Sequence, residues 1–174
     1  MVSDIAFPEY KGISIATHLH EYILYNYREI LLVIDQEKYS LDKIHETFRR
    51  GVLGLRNYEI IQESSLRVAT AEIHYRHTAH LILVINGLDD ERFSRHTIED
   101  LLLLLAEKLG LHTIKGTVNP KDEWNCLSED VQSKVYEAIR YGKEIDEIFK
   151  QHTIALKIFK KHSPSQLLDE NKIP

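Results

Sequence analysis

The amino-acid sequence predicts an α+β domain, with an antiparallel sheet of about four to five strands, flanking helices and a helical C-terminal part. Apolar residues follow helical spacing after residue 40, give way to alternation and β-branching between residues 58 and 85, and return to helical spacing after residue 97. Of the 174 residues, 43% are hydrophobic and 28% are charged, which is typical of a soluble protein with a core. We expect one α+β domain over residues 1–150 and a basic helix with a loose tail over residues 151–174.

The first predicted element is a strand that ends at Asp35. Apolar residues from Ile15 to Ile34 follow helical spacing, but residues 30–34 (ILLVI) also form a short apolar, β-branched run typical of a buried strand. Both interpretations stay open, and the strand is favoured. A helix follows, because Ser40 suits an N-cap and Leu41, Ile44 and Phe48 fall on one helical face.

Strands are predicted next, over residues 57–64, 66–75 and 79–85, the last two forming either two strands or one interrupted strand. Asn86-Gly87 indicates the turn that ends them. Thr97 and Asp100 then have the spacing of a capping box, so a helix is expected to Leu109.

The remaining chain is predicted to be mainly helical. Residues 111–118 indicate a short strand and residues 120–127 a loop. Ser128 suits the N-cap of a helix that carries apolar residues to 139 and continues, in one interpretation, to Phe149. The last helix, over residues 153–162, holds three lysines and no acid.

Charge and cysteine content limit the classes of protein. The formal net charge is −5, so a nucleic-acid partner would need a local basic patch; the candidates are Arg49, Arg50, Arg56 and Lys157, Lys160, Lys161. Cys126 is the only cysteine, which excludes a disulfide within the chain and indicates a reducing compartment. The start of the chain lacks the pattern of a signal peptide, and the longest apolar run, residues 101–106, is too short to cross a bilayer. We therefore expect a cytoplasmic protein without a membrane partner.

Four residues of the stretch EIHYRHTAHLILVI form the predicted metal site: Glu72, His74, His77 and His80. On a strand, side chains two apart share a face, so Glu72 and His74 point the same way. If a turn falls between Arg76 and Ala79, Glu72 and His80 face each other across a hairpin. A carboxylate with imidazoles suits a divalent cation such as Mn²⁺ or Mg²⁺. The alternative is a set of ordinary, hydrogen-bonded histidines at strand ends.

Two further groups of side chains carry possible chemistry. His18 and His20 would point together on a strand but not on a helix. Tyr141 is a candidate nucleophile toward a phosphodiester, with the ammonium group of Lys143 steadying the developing charge. The alternative for a tyrosine on an amphipathic helix is packing.

The order of these motifs resembles that of the HUH endonucleases, which include rolling-circle replication initiators, relaxases and single-strand transposases. The similar residues are AEIHYRHTAHLILVI and, farther along, AIRYGKEI. The resemblance implies an antiparallel sheet, a divalent cation held by Glu72, His80 and His74 or His77, and attack by Tyr141 that leaves a 5′-phosphotyrosine link. This chain has two residues between His77 and His80, where the family has one apolar residue between its histidines.

The sequence thus predicts a metal-dependent protein that nicks the phosphodiester backbone of single-stranded nucleic acid, with single-stranded DNA as the candidate partner. A non-catalytic interaction or regulatory protein is the alternative, self-associating through an apolar helix or sheet face. The five leucines at residues 101–105 favour the alternative, because they cover every side of a helix. A third hypothesis is a hydrolase of small phosphorylated substrates with His74 or His80 as acid and base.

Overall fold

The computed structural model describes residues 12–24, 27–142 and 145–162. Its described strands are β1 (Glu29–Asp35), β2 (Leu55–Ile60), β3 (Val68–His74) and β4 (Thr78–Asn86). They form one sheet in the order β1-β4-β3-β2, in which β2, β3 and β4 pair antiparallel. The α+β class is therefore confirmed, and so are the strand ending at Asp35 and the hairpin between β3 and β4.

Strand β1 differs from the expected antiparallel arrangement, because it pairs parallel with β4 and makes the sheet mixed. Helix α2 (Leu41–Gly51) follows β1 and precedes β2 at the far edge of the sheet. A helical crossover returns the chain to the end where β1 began, so the next strand starts in the same direction. The sequence pattern predicts α2 correctly, but it does not reveal the parallel strand direction that the crossover produces.

The other described helices are α1 (Leu19–Leu24), α3 (Ile98–Lys108), α4 (Pro120–Cys126), α5 (Glu129–Arg140), α6 (Ile145–Ile148) and α7 (Lys150–His162). Three predicted N-terminal caps are confirmed. The hydroxyls of Ser40 and Ser128 accept hydrogen bonds from the amides of Lys43 at 3.2 Å and Val131 at 3.4 Å. The carboxylate of Asp100 accepts one from the amide of Thr97 at 3.1 Å.

Two predictions for the C-terminal half are wrong, and one open interpretation, the continuation of the helix after residue 139, is excluded. Residues 111–118 form an isolated bridge between Val118 and Phe93 rather than a strand. Residues 120–126 form helix α4 rather than a loop, since Pro120 suits a first helical turn and Trp124 is buried. Helix α5 ends at Arg140, and Gly142, with φ of +72°, follows in the left-handed conformation.

The sheet has two differently covered faces. Residues such as Ala71, Ile73 and Leu83 pack with α2 and the 3₁₀ turn Gly12–Thr17 in the largest core cluster. On the other face, Val68, Ile82 and Val84 are buried under Ala155 of α7. Helix α7 thus rests on the sheet. The predicted tail beyond it, residues 163–174, lies outside the described residues.

A separate apolar cluster surrounds α3, and it accounts for the leucine run. Leu101, Leu102, Leu103 and Leu105 are buried there against residues of α4, α5 and α6, including Trp124. The chain itself therefore covers most of these leucines, which removes the main sequence argument for self-association through a helix. Among the described helices, none has the length and apolar character to cross a membrane.

Candidate functional site: a polar row across the sheet

One polar residue from each strand contributes to a row across the sheet. Arg56 of β2 lies opposite Glu72 of β3, which lies opposite His80 of β4, which lies beside Glu29 of β1. Residues in register on neighbouring strands share a face, so all four belong to the face that α7 partly covers. With strands about 4.8 Å apart, the polar row crosses roughly 14 Å of surface.

Glu72 of the polar row is held by two side-chain contacts. Its Oε2 accepts a hydrogen bond from Nδ2 of Asn57 at 3.0 Å and lies 3.0 Å from Nε2 of His74. The hydrogen bond with His74 is the main reason that the pKa of Glu72 lies below its ordinary value, and Asn57 and the nearby His80 act in the same direction. Glu72 is therefore a carboxylate at neutral pH.

The backbone around Glu72 is shaped for these contacts. A register shift in β2 follows Arg56, and Asn57 lies in it with φ of +51°, which is uncommon for a residue other than glycine. The amide of His74 donates to the carbonyl oxygen of Gly54 at 2.9 Å. Gly54 has φ of +77°, and a Cβ there would lie 2.2 Å from the carbonyl oxygen of His74. Only glycine lets the two backbones approach this closely.

A groove of about 430 Å³ runs between the sheet and α7 and contains part of the polar row. Glu72 and His80 line it from the sheet, and Ile158 and Lys161 line it from α7. Asn57 and Thr70 complete its polar lining. The groove therefore brings together a carboxylate, an imidazole, an amide and an ammonium group, although the chain as a whole is acidic.

The predicted metal ligands do not all converge. His74 and His80 share a face with Glu72, but His77 lies in the hairpin turn, where its Nε2 is 3.2 Å from the carbonyl oxygen of Tyr27 and donates to it. In the described part of the chain, no three His, Cys, Asp or Glu side chains are arranged to hold a metal ion. The donor types fit Mn²⁺ or Mg²⁺, but the residues that the structure describes do not assemble a complete set of ligands.

Tyr141, the predicted nucleophile, lies in a different part of the molecule. It directly follows α5, is 70% exposed, and lines a groove of about 320 Å³ with residues of α5 and with Leu109 and Leu111. The two grooves share no lining residue. Lys143, its predicted partner, lies outside the described residues.

His18 and His20 are not on a strand. His18 lies in a turn, with Nδ1 2.9 Å from Oε1 of Glu21, and His20 lies in α1. The condition under which the two rings would point together is therefore not met. Neither residue joins the polar row.

Sequence reasoning missed Asn57 and Lys161. Asn57 stands in a segment read only as a strand, and nothing in a single sequence reveals the register shift that turns its amide toward Glu72. The lysines of the last helix form a basic cluster in the sequence, but their distance in sequence from Glu72 gives no sign that Lys161 lines the same groove.

A second polar cluster lies at the other end of the sheet. At the end of β4, Nδ2 of Asn86 donates to Oδ1 of Asp35 at 3.0 Å. The Oδ1 of Asn86 lies 2.8 Å from Nε2 of His152. Asp35 also accepts from the amide of Ile98 at 3.1 Å, and Nζ of Lys121 lies 3.7 Å from its Oδ2. These contacts connect the sheet with α3, α4 and α7, so we assign this strand-end network a structural role.

Comparisons with protein-family models, with curated proteins and with solved structures found no match to this chain. The resemblance to HUH endonucleases therefore stays a prediction from the sequence.

Proposed function

We propose that the protein binds single-stranded nucleic acid along the polar row and cleaves its phosphodiester backbone. The observation that supports this proposal is the shared groove, in which Glu72 and His80 lie in register and Lys161 lies on the facing helix. Phosphodiester hydrolysis needs a base, an acid and positive charge around the phosphate. The groove supplies all three side-chain types within one surface.

Each group has a definite task in this proposal. The Glu72 carboxylate takes a proton from the attacking water as the water oxygen forms the new bond to phosphorus. His80 acts as the acid and gives a proton to the oxygen that leaves as the old phosphorus–oxygen bond breaks. Lys161 and Arg56 offset the negative charge on the phosphate. A divalent cation bound near Glu72 and His80 would supply further stabilisation of that charge.

Asn57 and His74 hold Glu72 in place in this scheme. Both bond to Oε2 of Glu72, and Oε1 accepts no hydrogen bond from the described residues. One oxygen of the carboxylate thus positions the group while the other is available to water, phosphate or a cation. Tyr141 has no task here, because it lines the other groove.

The test is cleavage of an end-labelled single-stranded oligonucleotide, DNA and RNA in parallel, with Mn²⁺, Mg²⁺ or a chelator. We expect cleavage by the natural chain and a loss of at least about 100-fold in rate for Glu72→Gln and for His80→Gln. Tyr141→Phe is the matched control and should keep the full rate, without a covalent protein–nucleic acid adduct.

Two results would contradict the proposal. The absence of cleavage under every cation condition removes the enzymatic function. An adduct that disappears in Tyr141→Phe assigns the attack to Tyr141, as the resemblance implies, and overturns the water mechanism. If the cleavage rate is the same with a cation and with a chelator, only the proposed role of the cation is excluded.

A second candidate function is self-association, favoured by strand β1 at the edge of the sheet. In the described part of the chain β1 pairs with β4 alone, its residues 30–34 carry no charge, and Val33 is 45% exposed. An uncharged edge strand is a ready template for pairing with a second chain. We expect a concentration-dependent dimer in sedimentation experiments that Val33→Lys abolishes; a natural chain that stays monomeric at the highest soluble concentration contradicts it.

A further inference from the structure

The groove between the sheet and α7 continues beyond the polar row. Glu72 of β3 and His80 of β4 lie opposite each other in that row. Two residues away on each strand, Thr70 lies opposite Ile82. Side chains two apart on a strand share a face, and both pairs line the groove. The groove therefore has a second compartment, about 6.7 Å along the strands from the polar row.

Branched aliphatic side chains form the walls of this second compartment. Ile82 belongs to the sheet, Ile158 to the facing helix α7, and Ile61 directly follows β2. Ile82 is buried in the apolar cluster beneath α7, and Ile61 and Ile158 pack against the same cluster. We call the compartment formed by Ile61, Thr70, Ile82 and Ile158 the isoleucine slot. Its walls suit a flat apolar ring inserted between the sheet and the helix.

Thr70 adds one polar group to the isoleucine slot. Its side chain is only partly buried, and none of the described residues forms a hydrogen bond with its hydroxyl. A hydroxyl both donates and accepts hydrogen bonds, so it suits the polar edge of a ligand whose faces are apolar.

The direction of α7 places its ammonium group toward the polar row. His152, near the start of α7, contacts Asn86 at the far end of β4. The helix advances about 1.5 Å per residue from there, so Lys161 lies nearer the polar row than Ile158 does. The groove thus presents positive charge and the polar row first and the isoleucine slot second.

The size and the polarity of the groove fit one nucleotide. Its volume of about 430 Å³ lies within the range of about 300–1,000 Å³ that is typical of small-molecule sites. A nucleotide carries an anionic phosphate, then a sugar, then a base with apolar faces and a polar edge. These groups follow one another in the order in which the groove presents their partners.

We propose that the isoleucine slot receives one unpaired base of the strand whose phosphate lies at the polar row. This inference rests on the proposed function and names the substrate more closely: a single strand in which the base beside that phosphate has left the stack. Ile82 and Ile158 contact the two faces of the base, and the Thr70 hydroxyl bonds to its edge. Enzymes that act on an unstacked base hold it between apolar or aromatic side chains in this way.

Binding is measured by fluorescence anisotropy at low salt, with labelled oligothymidylate and with an abasic oligomer of the same length as probes. We expect the natural chain to bind oligothymidylate more tightly than the abasic oligomer. Ile158→Ala should weaken oligothymidylate binding about tenfold, because the shortened side chain no longer covers the base. Thr70→Val, which keeps the shape and removes the hydroxyl, should weaken it about fivefold. Neither variant should change the affinity for the abasic oligomer.

Ile154 supplies the matched control on the same helix. It lies one turn before Ile158 and packs against the same apolar cluster, but it is not among the described residues that line the groove. Ile154→Ala should leave both affinities unchanged. As a readout that needs no variant, nuclear Overhauser effects should connect thymine protons with the methyl protons of Ile158 and not with those of Ile154.

The outcomes separate this inference from the function on which it rests. The isoleucine slot is overturned, while phosphate binding at the polar row stands, if the natural chain binds both probes equally or if Ile158→Ala weakens both equally. Equal losses of oligothymidylate affinity in Ile158→Ala and Ile154→Ala overturn it as well, since they report a displaced helix. If the natural chain binds neither probe, the slot and the proposed nucleic-acid function are both overturned.

Discussion

The two ends of the sheet carry similar polar residues in different environments. At one end, Asn86 joins Asp35 and His152 in a network that connects strands with three helices. At the other end, Glu72 and His80 line an open groove, and the hydrogen bonds of Glu72 to described residues stay within the β2–β3 pair, to Asn57 and His74. Carboxylates and imidazoles stabilise the fold where helices cover them, and they are available for chemistry where they face a groove.

The largest expected effect of this difference concerns Asn86→Leu. Asn86 is 6% exposed, and its loss leaves Asp35 and His152 without their shared partner. Unsatisfied buried polar groups cost about 1–3 kcal/mol each, so we expect the free energy of unfolding to fall by about 2–4 kcal/mol. Urea denaturation measures it.

Glu72→Gln is the comparison at the open end of the sheet. It should leave the urea midpoint unchanged while nucleic-acid cleavage is lost. Equal destabilisation by the two substitutions would show that both ends are structural.

Glycine substitutions test the same comparison through the backbone. A Cβ at Gly54 would lie 2.2 Å from the His74 carbonyl oxygen, and one at Gly87 would lie 2.5 Å from Cβ of His96. We expect Gly54→Ala and Gly87→Ala each to lower the free energy of unfolding by about 2 kcal/mol or more. An alanine with positive φ contributes roughly 1 kcal/mol of this loss, and the clash contributes the rest. Only Gly54→Ala should also reduce cleavage per folded molecule.

Gly110→Ala is the control for these two variants. Gly110 has φ of +68°, and a Cβ there has no atom within 4 Å. Gly110→Ala should therefore lower the free energy of unfolding only by the backbone strain of about 1 kcal/mol. If Gly54→Ala costs no more than Gly110→Ala, the close approach to His74 is not needed.

The strand-end network should also make stability depend on pH. Burial lowers the pKa of His152 from 6.5 to about 4, and burial likewise lowers that of His45. The unfolded chain then binds more protons than the folded chain between these pH values. The contribution of His152 to stability is therefore fully present above about pH 6.5 and is lost as the pH drops toward 4.

The difference between the natural chain and His152→Gln isolates this contribution. Asp100, whose pKa burial raises to about 6, acts in the opposite direction, since its ionisation above pH 4 disfavours the folded state. Both proteins share that effect and the effect of His45. Urea midpoints at several pH values should therefore decline less steeply for His152→Gln; parallel curves would exclude His152.

The smallest expected effect is on the salt dependence of nucleic-acid binding. Each phosphate contact with a single strand contributes about 0.7 to the slope of log K against log salt concentration. Lys161→Ala should lower the slope by about this amount for oligothymidylate. Lys134→Ala, which removes an exposed ammonium paired with Asp130 on α5, is the control and should not change it. Equal slopes for the natural chain and Lys161→Ala exclude a phosphate contact by Lys161.

The sequence was most informative where local chemistry decides the structure. Ser40, Ser128 and Asp100 act on amides within one helical turn, so their caps were predicted correctly. The pairing of Glu72 with His80 also followed from short-range information, namely a turn between two apolar runs.

Long-range packing accounts for what the sequence did not reveal. The sequence does not predict helix α4, because the burial of Trp124 depends on α3 and α5, which are formed by other parts of the chain. Lys161 reaches the groove only because α7 folds back onto the sheet. The order of motifs in the sequence predicts one site for Tyr141 and His80, yet the two residues line different grooves.

The contact of α7 with the sheet has a consequence for motion. Its apolar cluster holds four buried residues, Val68, Ile82, Val84 and Ala155, and is the smallest of the three clusters. Segments with few buried contacts open at lower free energy than the rest of a protein. Native-state amide exchange should therefore be faster in α7 than in β3 or β4, and each such opening would widen the groove and let a long polymer enter from the side rather than by threading.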